Sequence, residues 1–554
     1  MVGMTSPSGR AALGLAVLIL AVLAGVGLRA GGNAPKTSFT HDESISYLAA
    51  TCHQGEWYAV TFDPRPPFGA WAPAAAWQRF LRPERAGCLG RIRDDLARFD
   101  IHPPLYFWLL HGASLVLGVG MWTGAALNLV LFVLGALGLF GLALRILGDR
   151  LRAAAVVLVW ALSPGVVQVF AEARQYELLG LLTILFTWQA LRFAERPGRA
   201  SVLDAAGVAV LAALGMLTHY HFALVVLGVG GVLAVRLRWG GGRRLLAGAG
   251  ALTGGAVLFL LAHPGFWRAF ATQRAQAGGF VPDQFPGRVA QSARALSELV
   301  LPPGLAASPL RWVGAGLIVA ATVWLLARRA EFRGEAAAVI AGRDRRAGPR
   351  AAVALFAWTA GATAALFLGF VSHGLAMTPK YLAAVWPFAA FVPVLAVVGL
   401  APRARRAVAV AGGAMLLAFG ALSAYDLHAP DPPVDPTGAV RAADAAVVDN
   451  VARGIFPRVV WPMRGDTRVY AATQRALLAR PAPWLSGIRG RAILVSELPV
   501  SDPRYGNSPG LGRRIVASAR AQGRLRPEPG GVAGLGRVFV VERPGDRRRA
   551  VGSP

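Results

Sequence analysis

The chain alternates between long apolar runs and short polar segments rich in arginine. Many runs approach the ~20 residues that an α-helix needs to cross a bilayer. Because such runs recur along most of the chain, buried helices of a soluble core do not explain them. The pattern predicts about eleven spanning helices, at residues 11–30, 122–144, 151–170, 178–191, 203–217, 222–235, 245–262, 312–327, 351–371, 382–400 and 407–422.

Clusters of arginine mark the predicted cytoplasmic ends of these helices. The clusters lie at residues 145–152, 192–199, 236–244, 328–350 and 403–406. Placing all of them inside agrees with the span count and puts the N-terminus inside. Residues 103–117 form another apolar run, but a span there would move every later cluster outside. We therefore expect an interfacial helix at this run, where His102 and His111 suit the headgroup boundary.

Three regions are then expected on the outer face: a first outer loop at residues 31–121, a second at 263–311, and the C-terminal region. Residues 1–424 are interpreted as the transmembrane domain and 425–554 as a C-terminal extracytoplasmic domain. The predicted fold is thus an all-α polytopic membrane bundle with a small α/β C-terminal domain. Its predicted strands are residues 492–496 and 537–542, and its predicted helices are 439–452 and 471–478.

Composition agrees with the membrane prediction, since 55% of the 554 residues are hydrophobic and only 16% are charged. The formal net charge of +28 first suggests nucleic acid. The arginines act instead as topology signals between apolar runs, so we expect membrane lipids and no nucleic acid as partners. Lysine is found only at Lys36 and Lys380, which makes these two positions noteworthy among so many arginines.

Two cysteines, Cys52 and Cys88, both lie in the predicted first outer loop. An oxidising compartment permits a disulfide between them. Sequence alone does not give the geometry, so the bridge is a possibility. Neither a CxxC pair nor a metal-type spacing is present, and we expect no metal and no cofactor.

Two acidic segments of the first outer loop are candidates for chemistry. Asp42 and Glu43 start a short helix, where they act either as N-terminal capping acids or as a general base above the bilayer. Asp100 and His102 precede two prolines. His102 there is either a solvated helix cap or a group that binds an anion at a helix start.

Basic residues at two predicted outer turns break the positive-inside pattern. Arg174 is flanked by Glu172 and Glu177, and Lys380 precedes Tyr381. Each is either a boundary anchor, with one of the two glutamates as the partner of Arg174, or part of a shared anion site.

A third outer turn carries His219, Tyr220 and His221. This turn is an interfacial belt, a substrate contact or a metal site, although helical metal-ligand pairs prefer a spacing of i, i+4.

In order along the chain, these motifs resemble the GT-C fold glycosyltransferases. Within them, they resemble the protein O-mannosyltransferase and aminoarabinose (lipid A) transferase group, including the lipopolysaccharide-core galacturonosyltransferase type. The resemblance covers the chain through His221 and extends less fully to the Lys380 turn. It is carried by Asp42-Glu43, the segment DIHPPLY at 100–106, the segment ARQY at 173–176, and Lys380-Tyr381.

The resemblance implies an enzyme that moves a hexosyl or pentosyl group from a polyprenyl-phosphate donor to an extracytoplasmic glycan, lipid or protein, with inversion. It implies a multi-pass protein of the inner (plasma) membrane with its active site outside. Asp42 would be the base and Glu43 its assistant. His102, Arg174 and Lys380 would bind the donor phosphate. The expected substrate contacts are Tyr176, His219, Tyr220, His221 and Tyr381.

Two other interpretations stay open. A transporter or flippase of lipid-linked saccharides would have ionisable residues along its spans and internal repeats, and the sequence has few of either. A non-enzymatic scaffold or sensor would use the C-terminal domain for contacts. The absence of a P-loop, a Rossmann fingerprint and a GxSxG motif argues against nucleotide-driven chemistry.

Overall fold

A computed structural model of the chain forms two compact units. The first comprises residues 1–35, 96–106 and 125–428, and the second comprises residues 36–95, 107–124 and 429–554. The structure describes residues 7–36, 38–62, 65–83, 87–170, 172–195, 200–237, 242–276, 281–327, 348–369, 377–426, 436–486, 488, 490–496, 506–522, 524–527 and 537–542.

Helices dominate the described residues. In chain order they are α1 Pro7–Asn33, α2 His41–Ala50, α3 Gln54–Phe62, α4 Ala75–Gln78, α5 Leu89–Phe99, α6 Leu105–Leu117, α7 Thr123–Leu147, α8 Arg150–Leu162, α9 Pro164–Val169, α10 Tyr176–Glu195, α11 Ala200–Thr218, α12 Phe222–Leu237 and α13 Gly242–Ala262. They continue as α14 Phe266–Gln276, α15 Phe285–Ser297, α16 Pro303–Ala307, α17 Leu310–Ala327, α18 Pro349–Gly369, α19 Trp386–Ala389, α20 Phe391–Val398, α21 Pro402–Asp426, α22 Pro436–Arg441, α23 Phe456–Val460, α24 Gln474–Ala479, α25 Pro481–Ser486 and α26 Pro509–Gln522.

The predicted membrane bundle is confirmed, but the count of eleven spans is not. Within the described ranges, seven helices are long and apolar enough to cross a membrane, namely α1, α7, α10, α13, α17, α18 and α21. Four shorter apolar helical stretches lie at Leu105–Leu117, Val202–Thr218, Phe222–Leu237 and Trp386–Val398. The first of them is the helix that the sequence placed at the interface.

Proline breaks one of the predicted spans. The run at 151–170 divides into α8 and α9 at Ser163, whose extended ψ of 126° precedes Pro164. The residue before a proline avoids the helical region, so the first helix ends there. The run at 382–400 contains α19, which has Pro387 in its first turn, and α20, and Ala390 between them has helical φ and ψ of −62° and −22°.

A buried ion pair joins two helices of the first unit. The Arg29 guanidinium of α1 lies 3.6 Å from a Glu177 carboxylate oxygen of α10, and both side chains are almost fully buried. Arg29 also donates to the carbonyls of Gly25 and Ala161 and stacks 3.8 Å from the ring centroid of Phe132. Because an unpaired buried charge is very costly, each partner requires the other.

The second unit contains a six-stranded sheet with strand order β1-β3-β2-β4-β6-β5. Its strands are β1 Trp71–Pro73, β2 Ala445–Val448, β3 Arg468–Ala471, β4 Ala492–Ser496, β5 Arg524–Pro527 and β6 Arg537–Glu542. The three central strands β3, β2 and β4 are parallel, and the outer pairings are antiparallel. This sheet gives the α/β part of the predicted fold.

Both predicted strands, 492–496 and 537–542, have the observed bounds. The predicted helix at 439–452 is wrong, because α22 ends at Arg441 and β2 follows it. All four residues of β2 are buried, and a strand buried on both faces loses the alternation that would distinguish it from a helix. The predicted helix at 471–478 begins late, since Ala471 belongs to β3 and α24 starts at Gln474.

Residues 36–95 and 107–121 of the first outer loop belong to the same compact unit as the C-terminal region from residue 429, whereas the sequence grouped that loop with the spans. Pairing explains the difference, since β1 of the loop lies antiparallel to β3. The core agrees with it, because Trp57 and Trp77 pack on Phe456. The Trp57 indole also donates to the carbonyl of Val451 over 3.2 Å.

Cys52 and Cys88 are joined by a disulfide, with their Cα atoms 6.4 Å apart. Cys52 directly follows α2 and the turn at Thr51, and Cys88 directly precedes α5. The His111 ring of α6 lies beside both sulfurs and bonds the Ala50 carbonyl over 2.7 Å. The bridge therefore anchors the end of α2 to the start of α5.

Replacing both cysteines, as in C52S/C88S, should lower the thermal midpoint of the purified protein. The bridge closes a separation of 36 residues, for which loop entropy accounts for about 4 kcal/mol. The midpoint is measured in mild detergent with and without a reductant. Reductant should shift the wild type toward the double variant and leave the variant unchanged. Equal midpoints for both proteins would contradict a stabilising bridge.

Replacing Glu177 by Gln should destabilise the first unit by about 3–5 kcal/mol, because Arg29 keeps a buried charge without its counter-ion. The double variant R29M/E177M should recover most of that loss, since both charges leave together. Thermal denaturation in detergent and the amount of folded protein in membranes provide the measurement. A double variant less stable than E177Q would show that the pair is not the source of the loss.

Candidate functional site

Hydrogen bonds from α7 to backbone carbonyls fix the turn that carries Arg174. Asn128 of α7 donates to the carbonyls of Phe170 and Glu172 over 3.2 and 2.8 Å. The Tyr106 hydroxyl donates to the Asn128 amide oxygen over 3.0 Å. Arg174 itself is buried, with 4% of its surface exposed, so its charge lies at the protein interior side of the turn.

The Lys380 turn lies against the same segment. A 3₁₀-helix at Pro379–Leu382 presents Lys380, and the Trp386 indole fixes this turn by donating to the Pro379 carbonyl over 3.2 Å. The Lys380 ammonium lies 3.2 Å from a Glu172 carboxylate oxygen and 5.9 Å from the ring centroid of Tyr176. Both partners of this ion pair are about a quarter exposed, so an anion can compete with Glu172 for the ammonium.

His102 is oriented by a buried carboxylate. Its Nδ1 lies 2.5 Å from an oxygen of Asp100, and the same oxygen accepts the Ile101 N–H over 2.7 Å. A carboxylate on one imidazole nitrogen fixes the ring and its tautomer. Sequence reasoning included Asp100 in the segment at 100–106 but assigned it no role.

Imidazole and phenol rings connect these turns. The His219 ring centroid lies 6.2 Å from that of His102, 6.0 Å from that of Tyr176 and 4.6 Å from that of His221. Tyr381 continues the chain of rings, at 6.2 Å from Tyr176 and 6.3 Å from His221. We call the site the outer-turn cluster, comprising His102, Arg174, Tyr176, His219, His221, Lys380 and Tyr381.

Burial keeps the two central histidines of this cluster neutral. It lowers the pKa of His219 well below its ordinary value, and the charges of His221, His102 and Arg174 act in the same direction. Burial and the charge of His102 lower the pKa of His221 to about 4. The His221 N–H donates to Nδ1 of His219 over 3.1 Å. Both rings are therefore hydrogen-bonding groups at neutral pH, and the positive charge comes from Arg174 and Lys380.

Tyr220 lies on the same turn but bonds elsewhere. Its hydroxyl lies 3.0 Å from Nε2 of His263, and its ring packs edge-on against Phe259 and Phe266. Burial raises its pKa, and the charge of Asp100 adds to this. These contacts indicate that Tyr220 ties the turn to the predicted second outer loop.

Glu298 is a buried acid that the sequence did not single out. Its carboxylate accepts from Gln168 of α9 over 2.9 Å and from Arg294 over 3.3 Å, and its carbonyl accepts the Gly165 N–H over 2.7 Å. Burial raises its pKa to about 7. The only local signal is an arginine four residues earlier, which equally describes a solvated helix face.

Asp42 and Glu43 lie in the second unit, at the start of α2. Glu43 has a structural role there, because its carboxylate completes a capping box with Thr40 and pairs with Lys36 at 2.5 Å. Asp42 keeps 23% of its side chain exposed, and its Oδ1 lies 3.4 Å from Nδ1 of His41. Of the two acids, Asp42 is the more exposed, since Glu43 keeps only 3% of its side chain accessible.

Gly454 makes room for the His41 ring beside Asp42. A Cβ at this glycine would lie 2.2 Å from Nε2 of His41. The loop after β2 therefore supports the start of α2 through close packing. Sequence reasoning missed this contact, because a single glycine more than 400 residues away from His41 carries no signal of its partner.

One group in the described part of the chain has side chains spaced to hold a metal ion: Cys52, Cys88 and His111, whose ligand atoms lie within 4.8 Å of one another. Two of the three ligands are already joined as a disulfide. Thiolate, not disulfide sulfur, is the metal-binding form, so the oxidised protein does not offer this site.

Comparison with known proteins agrees with this description. Residues 101–267 match the model of the family described as dolichyl-phosphate-mannose-protein mannosyltransferase. No curated protein sequence matches the chain. Residues His102, Arg174, Tyr176, His219 and His221 all lie inside the matched segment.

Solved structures that are similar to the chain include two of one protein and one of another. ArnT from Cupriavidus metallidurans in the apo state is 14% identical, with 96% of this chain and 98% of that chain covered and a TM-score of 0.51. ArnT from the same organism bound to undecaprenyl phosphate is 13% identical, with 97% of this chain and 98% of that chain covered and a TM-score of 0.49. Arabinosyltransferase EmbB from Mycobacterium smegmatis is 14% identical, with 74% of this chain and 41% of that chain covered and a TM-score of 0.32. The likeness to apo ArnT confirms the expected GT-C fold of integral membrane glycosyltransferases.

Acidification should destabilise the protein in part through His221. Its ordinary pKa of 6.5 applies to the unfolded chain, and its folded pKa is about 4. Between these values the unfolded chain binds a proton that the folded protein excludes, so stability present above pH 6.5 is lost as pH falls toward 4. The variant H221Q should show a shallower fall in thermal midpoint between pH 7 and 5. Parallel curves for the two proteins would contradict the assignment.

Proposed function

We propose that this chain is a glycosyltransferase that moves a sugar from a polyprenyl-phosphate carrier to an acceptor hydroxyl outside the cytoplasm. The observation that carries the proposal is the outer-turn cluster. There, Arg174, Lys380 and His102 gather around buried rings that can hydrogen-bond or stack. Cations beside rings complement a phosphate that is linked to a sugar.

The comparisons support the same chemistry. The matched family segment contains all members of the cluster except the Lys380 turn, and the family description names a dolichyl-phosphate-linked sugar. The fold likeness to apo ArnT supports a membrane glycosyltransferase. Neither finding favours the transporter or flippase alternative.

The cations would serve the leaving group. As the bond between the anomeric carbon and the phosphate oxygen breaks, its electron pair passes to that oxygen. Arg174 and Lys380 stabilise the charge there without a protonated acid. A phosphate would replace Glu172 as the partner of the Lys380 ammonium. In its imidazolium form, His102, held by Asp100 at Nδ1, would donate a hydrogen bond from Nε2 to the phosphate and add a third charge.

Asp42 would act as the general base. It takes the proton of the acceptor hydroxyl while that oxygen forms its bond to the anomeric carbon, opposite the departing phosphate, so the configuration inverts. Glu43 assists by holding the start of α2 through its capping box and through Lys36. Tyr176, His219, His221 and Tyr381 would contact the sugar, and the acceptor is a glycan, lipid or protein.

Replacing Asp42 by Asn should abolish product and leave donor binding intact. A general base contributes about 10²–10⁴-fold, so the glycan product, measured by mass in cells that express each protein, should fall at least 100-fold at equal protein abundance. Polyprenyl phosphate should still raise the thermal midpoint of D42N in detergent. It should raise that of K380M less, because the phosphate loses its ammonium partner.

Asp94→Asn is the matched control, since Asp94 is an exposed acid of the same unit with 58% of its side chain accessible. D94N should give the wild-type amount of product. An unchanged product from D42N would refute the base assignment, and an unchanged phosphate effect in K380M would refute the phosphate site.

A further inference from the structure

The turn of the outer-turn cluster contains a glutamine that no contact explains. Gln175 lies between Arg174 and Tyr176, and none of its surface is exposed. Neither its amide nitrogen nor its amide oxygen has a hydrogen-bond partner among the residues that the structure describes. Its backbone carbonyl is used normally, by accepting the Leu179 N–H over 2.9 Å.

A buried amide in this state is costly to the protein. Buried side-chain polar groups are nearly always bonded, and one left without a partner keeps the full cost of losing its water. Methionine has nearly the same shape and carries no such cost. A glutamine kept here for packing alone would therefore be a poor choice.

The chemistry of an amide indicates its ligand. The amide offers a donor and an acceptor together. A phosphate ester offers only acceptors, and in this cluster Arg174 and Lys380 already supply charged donors for it. A sugar hydroxyl both donates and accepts, so it can satisfy the two atoms of one amide.

We propose that Gln175 is a substrate-contact residue that hydrogen-bonds a hydroxyl of the donor sugar. This inference rests on the proposed function and adds to it the group that recognises the sugar, as distinct from the carrier phosphate. The ring of Tyr176, the next residue, lies 6.0 Å from that of His219, and these rings would give the sugar an apolar face to pack on. A site built to bond a hydroxyl also discriminates strongly against a sugar that lacks it.

The test replaces Gln175 by Met and measures two quantities. If Gln175 binds substrate, stability should be kept while product falls; if it serves packing, stability should fall. The first is the thermal midpoint of the ligand-free protein in detergent. It should equal or exceed that of the wild type, because an unsatisfied buried amide is removed. The second is the glycan product in cells, which should fall roughly 5- to 100-fold through the loss of one buried hydrogen bond to substrate.

Gln189→Met, on the helix that follows the Gln175 turn, is the matched control. Gln189 lies about 20 Å further along α10, and its amide donates to the backbone carbonyl and the carboxylate of Asp204, over 3.1 Å each. Q189M should therefore lower the thermal midpoint and leave the amount of product unchanged. Q175M should thus keep its stability and lose product, whereas Q189M should lose stability and keep product.

A third measurement separates the sugar from the phosphate. Polyprenyl phosphate, which has no sugar, should raise the thermal midpoint of Q175M as much as that of the wild type. The inference is overturned by a lowered ligand-free midpoint, by unchanged product, or by loss of the polyprenyl phosphate effect. The proposed function fails separately, when D42N makes normal product, whatever Q175M does.

Discussion

The buried ion pair between Arg29 and Glu177 is a constraint on which the packing of the first unit depends. It joins the first helix of the chain to α10, and both groups are removed from water. Glu177 directly follows Tyr176, so whatever fixes this glutamate also fixes the start of α10 and the turn before it. The geometry of the proposed phosphate and sugar contacts therefore depends on a charge that α1 supplies.

Acids in the first unit are matched to specific bases. Glu177 contacts Arg29, Glu172 contacts Lys380, and Asp100 contacts His102. The first pair is buried and permanent, whereas the second is partly exposed and open to exchange with another anion. The same type of contact thus serves as a fixed joint in one place and as a replaceable partner in another.

The helical membrane bundle could be predicted from the sequence, because long apolar runs and arginine clusters follow directly from the requirements of a bilayer. Local patterns failed where partners are remote. Glu172 contacts Lys380 and Glu177 contacts Arg29, and nothing near either glutamate in the chain indicates these remote partners. Likewise, the segment at 439–452 reads as a helix until its neighbours in the sheet are known.

Strand β1 and strand β3 are neighbours in space although they are almost 400 residues apart in the chain. The loop that carries Asp42 is synthesised early, yet the sheet that completes its unit is synthesised last. During synthesis, the core aromatic residues Trp57 and Trp77 of this loop lack their contacts with Phe456 until that later part of the chain has been made. A chain shortened at its C-terminus would thus lose support at its N-terminal acid motif, and quality control would encounter a protein that is inserted but incompletely folded.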